Sequence, residues 1–210
     1  MQRLLLAALA ASLGLVGTAH AQRPHVVRAP SSRWVINGHS TAALGTSVGD
    51  AEGSLNTSTG LGGGAEVGFL VTPRLMIYGG LDLAKQGIDV PGLEGNFGLT
   101  HIEAGARLSF PIARSKAMPY VGAWIGRRSL STSAENFFTG ARSHLSLSGL
   151  AAGASGGVQV FLSPKLALDG GLSLGVGKMG NVKVDGQRQD WGTPDNTTTT
   201  RIRFGANWYP

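Results

Sequence analysis

The chain has 210 residues, including 33 glycines and no cysteine, with 14% charged residues and a net charge of +6 at pH 7. The absence of cysteine excludes disulfides, thiolate metal sites and a lipid-modified N-terminal cysteine. The positive charge does not indicate nucleic acid binding, because the 18 basic residues are spread along the chain instead of forming one patch.

Residues 1–21 have the pattern of a secretory signal peptide. Arg3 precedes an apolar run from Leu4 to Val16, and a small-x-small triplet ends at Ala21. We expect cleavage after Ala21, followed by a short unstructured strap over residues 22–32. The mature protein is therefore predicted to leave the cytoplasm.

From residue 33 onward, apolar residues recur at every second position, which is the period of a β-strand. The opposite face of each predicted strand is mostly glycine, alanine and serine with one or two charges. No segment has a helical period. The alternation predicts eight strands, at residues 33–44, 61–71, 75–85, 99–111, 118–128, 146–162, 165–178 and 198–209.

The connections between these strands alternate between short and long. TPRLMIYGGLDL at 72–83 and SPKLALDGGLSL at 163–174 are near-copies of each other, and each is a short turn followed by a strand. Tight turns at one end and long polar loops at the other are typical of a transmembrane β-barrel. We therefore predict an all-β fold, an eight-stranded antiparallel up-and-down transmembrane barrel, over residues 33–210. The long loops are predicted at residues 45–60, 86–98, 129–145 and 179–197.

A soluble lipocalin-like barrel has the same alternation, but its apolar face points inward around a ligand. Its outer face would be in water and should be rich in lysine, glutamate and threonine. The polar face here is too poor in charge for that role. We favour the membrane barrel and keep a soluble periplasmic lipocalin-like binding barrel as an alternative.

This architecture resembles the OmpA-like family, the small eight-stranded outer-membrane β-barrels of Gram-negative bacteria. Members carry a C-terminal assembly signal that ends in an aromatic residue; Gly205 and Trp208 match it, whereas the final Pro210 departs from it. The resemblance implies an outer-membrane location and a periplasmic strap. It also implies insertion by the barrel-assembly machinery and contact with outer-membrane lipids and lipopolysaccharide.

The predicted lumen contains charges of both signs. Buried charges cost several kcal/mol each unless they are paired, so we expect ion pairs that plug the barrel. A narrow porin-like channel is the alternative. The predicted lumen network consists of Glu66, Asp82, His101, Glu103, Arg107, Asp169, Arg201 and Arg203, and strand parity adds Asn37, His39, Gln159 and Asn207.

Four basic residues are predicted at the rim, where the strands meet the long loops. This is the level expected for the phosphates of lipopolysaccharide. Ordinary snorkelling of long basic side chains at the interface is the alternative interpretation. The predicted headgroup residues are Lys85, Arg127, Arg128 and Lys178.

One motif could carry chemistry. His144 and Ser146 lie two residues apart, on one face of a strand near the outer rim. The pair resembles the catalytic pair of outer-membrane lipid A deacylases, in which the serine attacks an ester and the histidine takes its proton. Their acid follows about a dozen residues after the histidine, whereas the next acid after Glu135 here is Asp169. We predict no enzyme, no cofactor and no metal, with a lipid A-modifying esterase as an alternative.

The predicted role is therefore structural or interactive, carried by the long loops. Phe97, Phe137, Phe138 and Trp191 fall in those loops and are candidates for contact with an extracellular ligand. The sequence does not identify that ligand.

Overall fold

The computed structural model describes residues 30, 32–48, 55–56, 59–87, 96–135, 142–185, 187–189 and 195–210. Among them, no helix is long or apolar enough to cross a membrane. Two short strands, Leu55–Asn56 and Gln187–Gln189, pair with longer ones. The eight long strands are β1 Trp34–Val48, β2 Gly60–Leu70, β3 Leu75–Gly87, β4 Asn96–Ser109, β5 Ala117–Glu135, β6 Arg142–Ser163, β7 Leu166–Val184 and β8 Asp195–Trp208.

These eight strands form one closed antiparallel barrel. Each strand pairs with the next along the chain, and β1 pairs with β8, with Ile36 opposite Trp208. A closed sheet satisfies its backbone hydrogen bonds internally, which a spanning sheet must do because lipid offers none. The predicted eight-stranded barrel is confirmed.

The N-terminal predictions fall almost entirely outside the described residues. The signal peptide over 1–21 lies outside them, as does the strap over 22–32 apart from residues 30 and 32. Ser32 lies just before β1, and its hydroxyl accepts a hydrogen bond from the backbone N–H of Trp34 at 3.0 Å.

The strands extend further at the loop end than predicted. β5 continues to Glu135 and β6 starts at Arg142, and these two residues are paired in register. These extensions are rich in serine and threonine, which lack the apolar alternation used to predict strands. Once a neighbouring strand is available, pairing is favourable even without an apolar face, and threonine suits a strand.

The two near-copied segments form similarly capped turns. The hydroxyl of Thr72 accepts hydrogen bonds from the backbone N–H groups of Arg74 at 3.3 Å and Leu75 at 3.0 Å. The hydroxyl of Ser163 accepts one from the N–H of Lys165 at 3.3 Å. A hydroxyl residue at the same place in both copies therefore stabilises a tight turn through side chain to backbone bonding.

The apolar face of the sheet points outward. Ile125, Leu150 and Val176 are 69%, 76% and 63% exposed, whereas the charged residues of the predicted lumen network are buried. An apolar belt around a closed barrel is suited to lipid rather than water. The lipocalin-like alternative is therefore wrong, because it requires the opposite orientation of the two faces.

The aromatic residues near the turn end divide between the two faces. Trp34 and Trp208 are about half exposed on the outside, as expected for an interfacial girdle. Tyr120, Phe161 and Tyr209 are instead buried in the interior. For Tyr120 and Phe161 this agrees with their strand parity, which is opposite to that of the lipid-facing residues.

Candidate functional site: the barrel interior

The interior contains all eight residues of the predicted lumen network. None of them has more than 6% of its surface exposed. They come from β2, β3, β4, β7 and β8, so they approach one another from opposite walls of the barrel.

Arg201 of β8 joins two carboxylates. Its Nη1 donates to Oδ2 of Asp82 at 2.5 Å, and its Nη2 donates to Oε2 of Glu103 at 2.6 Å. The hydroxyl of Ser173 accepts a further bond from Nη2 at 3.3 Å. The planar guanidinium with several fixed donors suits such bridging, which a lysine could not reproduce.

Glu66 extends this series of ion pairs by joining two further arginines. Arg203 donates to Oε1 of Glu66 and to Oε1 of Glu103, the latter at 3.2 Å. Arg107 donates to Oε2 of Glu66 at 3.1 Å, and its Nη1 lies 3.6 Å from Oδ2 of Asp169. Acids and arginines therefore alternate across the lumen, from Asp82 at one end to Asp169 at the other.

The two end carboxylates are joined by amide and imidazole groups. Asn207 donates to Asp169 at 3.0 Å, and Asn37 donates to the side-chain oxygen of Asn207 at 2.8 Å. His39 Nδ1 lies 2.6 Å from Oδ1 of Asn37, and its Nε2 lies 2.6 Å from Oδ1 of Asp82. Each ring nitrogen of His39 therefore lies within hydrogen-bond distance of a side-chain oxygen.

The result is a closed circuit of ten side chains, which we call the polar ring. Four carboxylates, three guanidiniums, two amides and one imidazole make up this ring. The members, in order, are Asp82, Arg201, Glu103, Arg203, Glu66, Arg107, Asp169, Asn207, Asn37 and His39.

Aromatic rings fill the space beside the polar ring. The guanidinium carbon of Arg107 lies 4.4 Å from the ring centre of Tyr120 and 5.1 Å from that of Tyr78. These cation–π contacts stabilise the positive charge of Arg107. Both tyrosines lie against glycine. A Cβ at Gly105 would be 2.8 Å from the Tyr78 hydroxyl, and one at Gly157 would be 2.6 Å from the Tyr120 hydroxyl.

Apolar clusters fill the interior on both sides of the polar ring. Leu99, Leu130 and Met179 belong to the outer cluster, on the loop side. The inner cluster includes Val35, Met76, Phe161 and Tyr209 on the turn side and extends alongside the polar ring to Trp124. Sequence reasoning missed both clusters, although the inward parity of Leu99 and Leu130 could have indicated the outer one.

Asp82, His101 and Glu103 bring possible metal-ligand atoms within 4.8 Å of one another. Both carboxylates, however, already accept strong charge-assisted bonds from Arg201. His101 packs edge-on against Trp124, with 4.8 Å between ring centres. We therefore assign this cluster to ion pairing rather than to metal binding.

Solved structures reveal what the barrel is similar to, whereas no family model and no curated protein matches the sequence. Neisserial surface protein A has a TM-score of 0.59 at 19% identity, covering 85% of this chain and 98% of that one. OprG of Pseudomonas aeruginosa has a TM-score of 0.60 at 12% identity, covering 85% and 96%. Ail of Yersinia pestis has a TM-score of 0.51 at 13% identity, covering 84% of this chain and 98% of that one.

The chain has the fold of the eight-stranded outer-membrane β-barrels. Its apolar exterior and closed sheet are physically suited to that location, in agreement with the predicted outer-membrane protein. At these identities the similarity concerns the fold alone.

The predicted basic rim of the barrel requires one correction. Lys85, Arg127 and Lys178 are exposed on the outside, near the loop end. Arg128 is buried in the interior, because neighbouring residues in a strand point to opposite faces and Arg127 already points outward. The prediction of Arg128 as a headgroup residue is therefore wrong.

Arg128 lies between the polar ring and the outer cluster. Its guanidinium carbon is 5.6 Å from the ring centre of Trp124, and Nη1 donates weakly to the Thr197 hydroxyl at 3.5 Å. Its Nη2 has no hydrogen-bond partner. No carboxylate within the described residues is close enough to form an ion pair with it.

His144 and Ser146 lie at the loop end of β6. The Ser146 hydroxyl is 3.4 Å from that of Ser129. The acid beside His144 is Asp185, which the sequence analysis missed. Its carboxylate accepts a hydrogen bond from the backbone N–H of His144 at 2.7 Å. Asp169, the next acid along the chain after Glu135, belongs to the polar ring and not to this pair.

Proposed function

We propose that this protein is a plugged, non-enzymatic barrel of the outer membrane, with a structural role and a surface-interaction role carried by its outer loops. The observation that carries the proposal is the polar ring, which crosses the lumen and lies between two apolar clusters. An eight-stranded interior is only wide enough for its own side chains.

Opening a path for water would require breaking the polar ring. Separating one partner from a buried ion pair costs about 3–5 kcal/mol, because it leaves an uncompensated charge. The outer cluster adds a second obstruction, since its leucines offer no polar partner to a passing ion. The plugged barrel is therefore favoured over the porin-like channel.

The interaction role rests on the loop end of the barrel. Two of the similar folds are named as a surface protein and an attachment invasion locus protein. Phe137, Phe138 and Trp191, the predicted contact residues, lie outside the described residues, and the side chain of Phe97 is not described either. Insertion by the barrel-assembly machinery and an extracellular ligand at these loops remain parts of the proposal.

Planar-bilayer recording tests the plug. Protein refolded from inclusion bodies, and therefore free of cellular porins, is added after its heat-dependent gel shift shows a folded barrel. We expect no stepwise conductance. Stable steps from this porin-free sample would contradict the plug and favour the narrow channel.

Lipid A analysis tests the enzyme alternative. Mass spectra of lipid A from cells with and without the expressed protein should be the same. Loss of an acyl chain that is abolished by Ser146→Ala would contradict the non-enzymatic role. The matched control is Ser129→Ala, which removes the neighbouring hydroxyl and leaves His144 and Ser146 in place.

A further inference from the structure

A basic residue lies directly before each strand that starts at the turn end of the barrel. These strands are β1, β3, β5 and β7, which begin at Trp34, Leu75, Ala117 and Leu166. The four basic residues are exposed, and we call them the basic mouth: Arg33, Arg74, Lys116 and Lys165. Because these strands alternate with the others around the barrel, the four cations are spread around the whole turn end.

Hydrogen bonds hold the backbone of the basic mouth in the same way at all four positions. A serine or threonine just before each basic residue accepts a bond from the backbone N–H two residues after the hydroxyl. The donors and acceptors are Trp34 and Ser32 at 3.0 Å, Arg74 and Thr72 at 3.3 Å, Ala117 and Ser115 at 3.0 Å, and Lys165 and Ser163 at 3.3 Å. The carbonyls of Arg33, Arg74, Lys116 and Lys165 accept bonds from the backbone N–H groups of Leu70, Ser109, Phe161 and Tyr209 at 2.7, 2.8, 2.9 and 2.8 Å. The cations therefore project from four fixed points of the rim.

The basic mouth lies on the lumen side of the strands. Residues directly opposite each other on paired strands share a face. Arg33, Arg74, Lys116 and Lys165 are opposite Leu70, Ser109, Phe161 and Tyr209, respectively. Ser109, Phe161 and Tyr209 are buried, and Leu70 packs against the inner cluster. Because cations that snorkel toward lipid headgroups are expected on the outer face, this arrangement favours a ligand at the opening of the lumen.

Acidic side chains do not offset these charges within the turns. None of the 12 acidic residues of the chain lies in segments 71–74, 110–116 or 163–165. Arg114, in the second of these segments, is a further exposed cation. The acid closest in sequence to the basic mouth is Asp169, which already interacts with Arg107 and Asn207 in the polar ring. The charged side chains of the turns are therefore all positive.

The spacing of the basic mouth suits a ligand with several anionic groups. Neighbouring members are two strands apart, which is about 10 Å measured across the strands. With a tilt of about 40°, a rim of eight strands is roughly 50 Å around and roughly 16 Å across. A single phosphate is too small to contact cations on opposite sides, whereas an extended peptide of about five residues has the matching length. Leu70 and Met118, which pack beside the inner cluster and are only half-buried, offer apolar contact within the ring of cations.

We propose that the basic mouth binds an acidic, extended segment of a periplasmic protein. Carboxylates of the segment pair with the four cations, and an apolar side chain between them contacts Leu70 and Met118. The short turns of an outer-membrane barrel face the periplasm, so this surface is opposite to the long loops that carry the proposed surface interaction. The inference is independent of whether the lumen conducts and of what the long loops bind.

Fluorescence anisotropy of the refolded protein in nonionic detergent tests the surface, with a labelled oligoglutamate peptide that contains one leucine as the probe. We expect saturable binding, and none of the matching oligoglutamine peptide. The quadruple variant Arg33→Gln/Arg74→Gln/Lys116→Gln/Lys165→Gln should weaken binding by at least about tenfold, because it removes charge-assisted bonds at all four positions. All variants are first checked for the heat-dependent gel shift.

The matched control removes the same number of exposed cations from the loop end. Lys85→Gln/Arg127→Gln/Lys178→Gln/Lys183→Gln has the same net charge as the first quadruple variant. It should bind the oligoglutamate peptide within about twofold of wild type, because distant exposed charges are screened by salt. Failure of wild type to bind the peptide, or equal losses in the two variants, would overturn the basic mouth as a binding surface. Stronger competition by phosphatidylglycerol vesicles or soluble peptidoglycan fragments than by unlabelled oligoglutamate would overturn the assignment to an acidic peptide.

Discussion

Arg201 and Arg128 are both buried arginines that approach the same Trp124 ring, at 5.1 Å and 5.6 Å. Arg201 holds two carboxylates at 2.6 Å or less, whereas among the described residues Arg128 has one long bond, to Thr197. The interior therefore has two layers with different energetics. In the polar ring each charge needs its neighbours, whereas in the layer above it the part of the chain that the structure describes gives Arg128 an aromatic face and a hydroxyl.

The largest expected effect comes from breaking the polar ring. Arg201→Met leaves Asp82 and Glu103 without their shorter charge-assisted bonds, so the free energy of unfolding should fall by about 3–5 kcal/mol. Urea unfolding in lipid vesicles, followed by tryptophan fluorescence, measures this change. A loss below about 1 kcal/mol would show that the ring does not stabilise the barrel.

A smaller effect is expected where the two layers meet, at Gly175. A Cβ there would be 2.4 Å from Nη2 of Arg128 and 2.5 Å from the Trp124 ring, so Gly175→Ala should cost about 1–3 kcal/mol through overpacking. Gly38→Ala is the matched control, since a Cβ at Gly38 would meet nothing within 4 Å. The same urea titration compares the two variants, and equal stability would contradict the overpacking.

The smallest effect should come from Arg128 itself. Arg128→Met removes a buried cation that has no carboxylate partner within the described residues and replaces it with an apolar chain of similar length. We expect a change within about 1 kcal/mol, in either direction. A loss above about 2 kcal/mol would show that Trp124 and Thr197 compensate the charge as effectively as carboxylates do.

Strand period and parity were sufficient to predict the barrel and the inward face that carries the polar ring. Parity also indicates an inward Arg128, and the prediction for this residue was wrong because it relied on the position of Arg128 near a strand end. The pairings were not predictable either. Asp82 with Arg201 and Asn37 with Asn207 join residues that are distant in the chain, and their relative height depends on how far the strands stagger when the sheet closes.

The tyrosine–glycine contacts have a consequence for how the barrel forms. A slip of two residues between neighbouring strands keeps every side chain on its proper face, so burial alone cannot reject it. In the native register Tyr78 is opposite Gly105, and Tyr120 is opposite Gly157. A slip of β4 against β3 would place Glu103 or Arg107 opposite Tyr78, where a side chain would occupy the space that the ring needs. Glycines at these positions therefore make misaligned strand pairs sterically unfavourable during insertion, before the barrel closes.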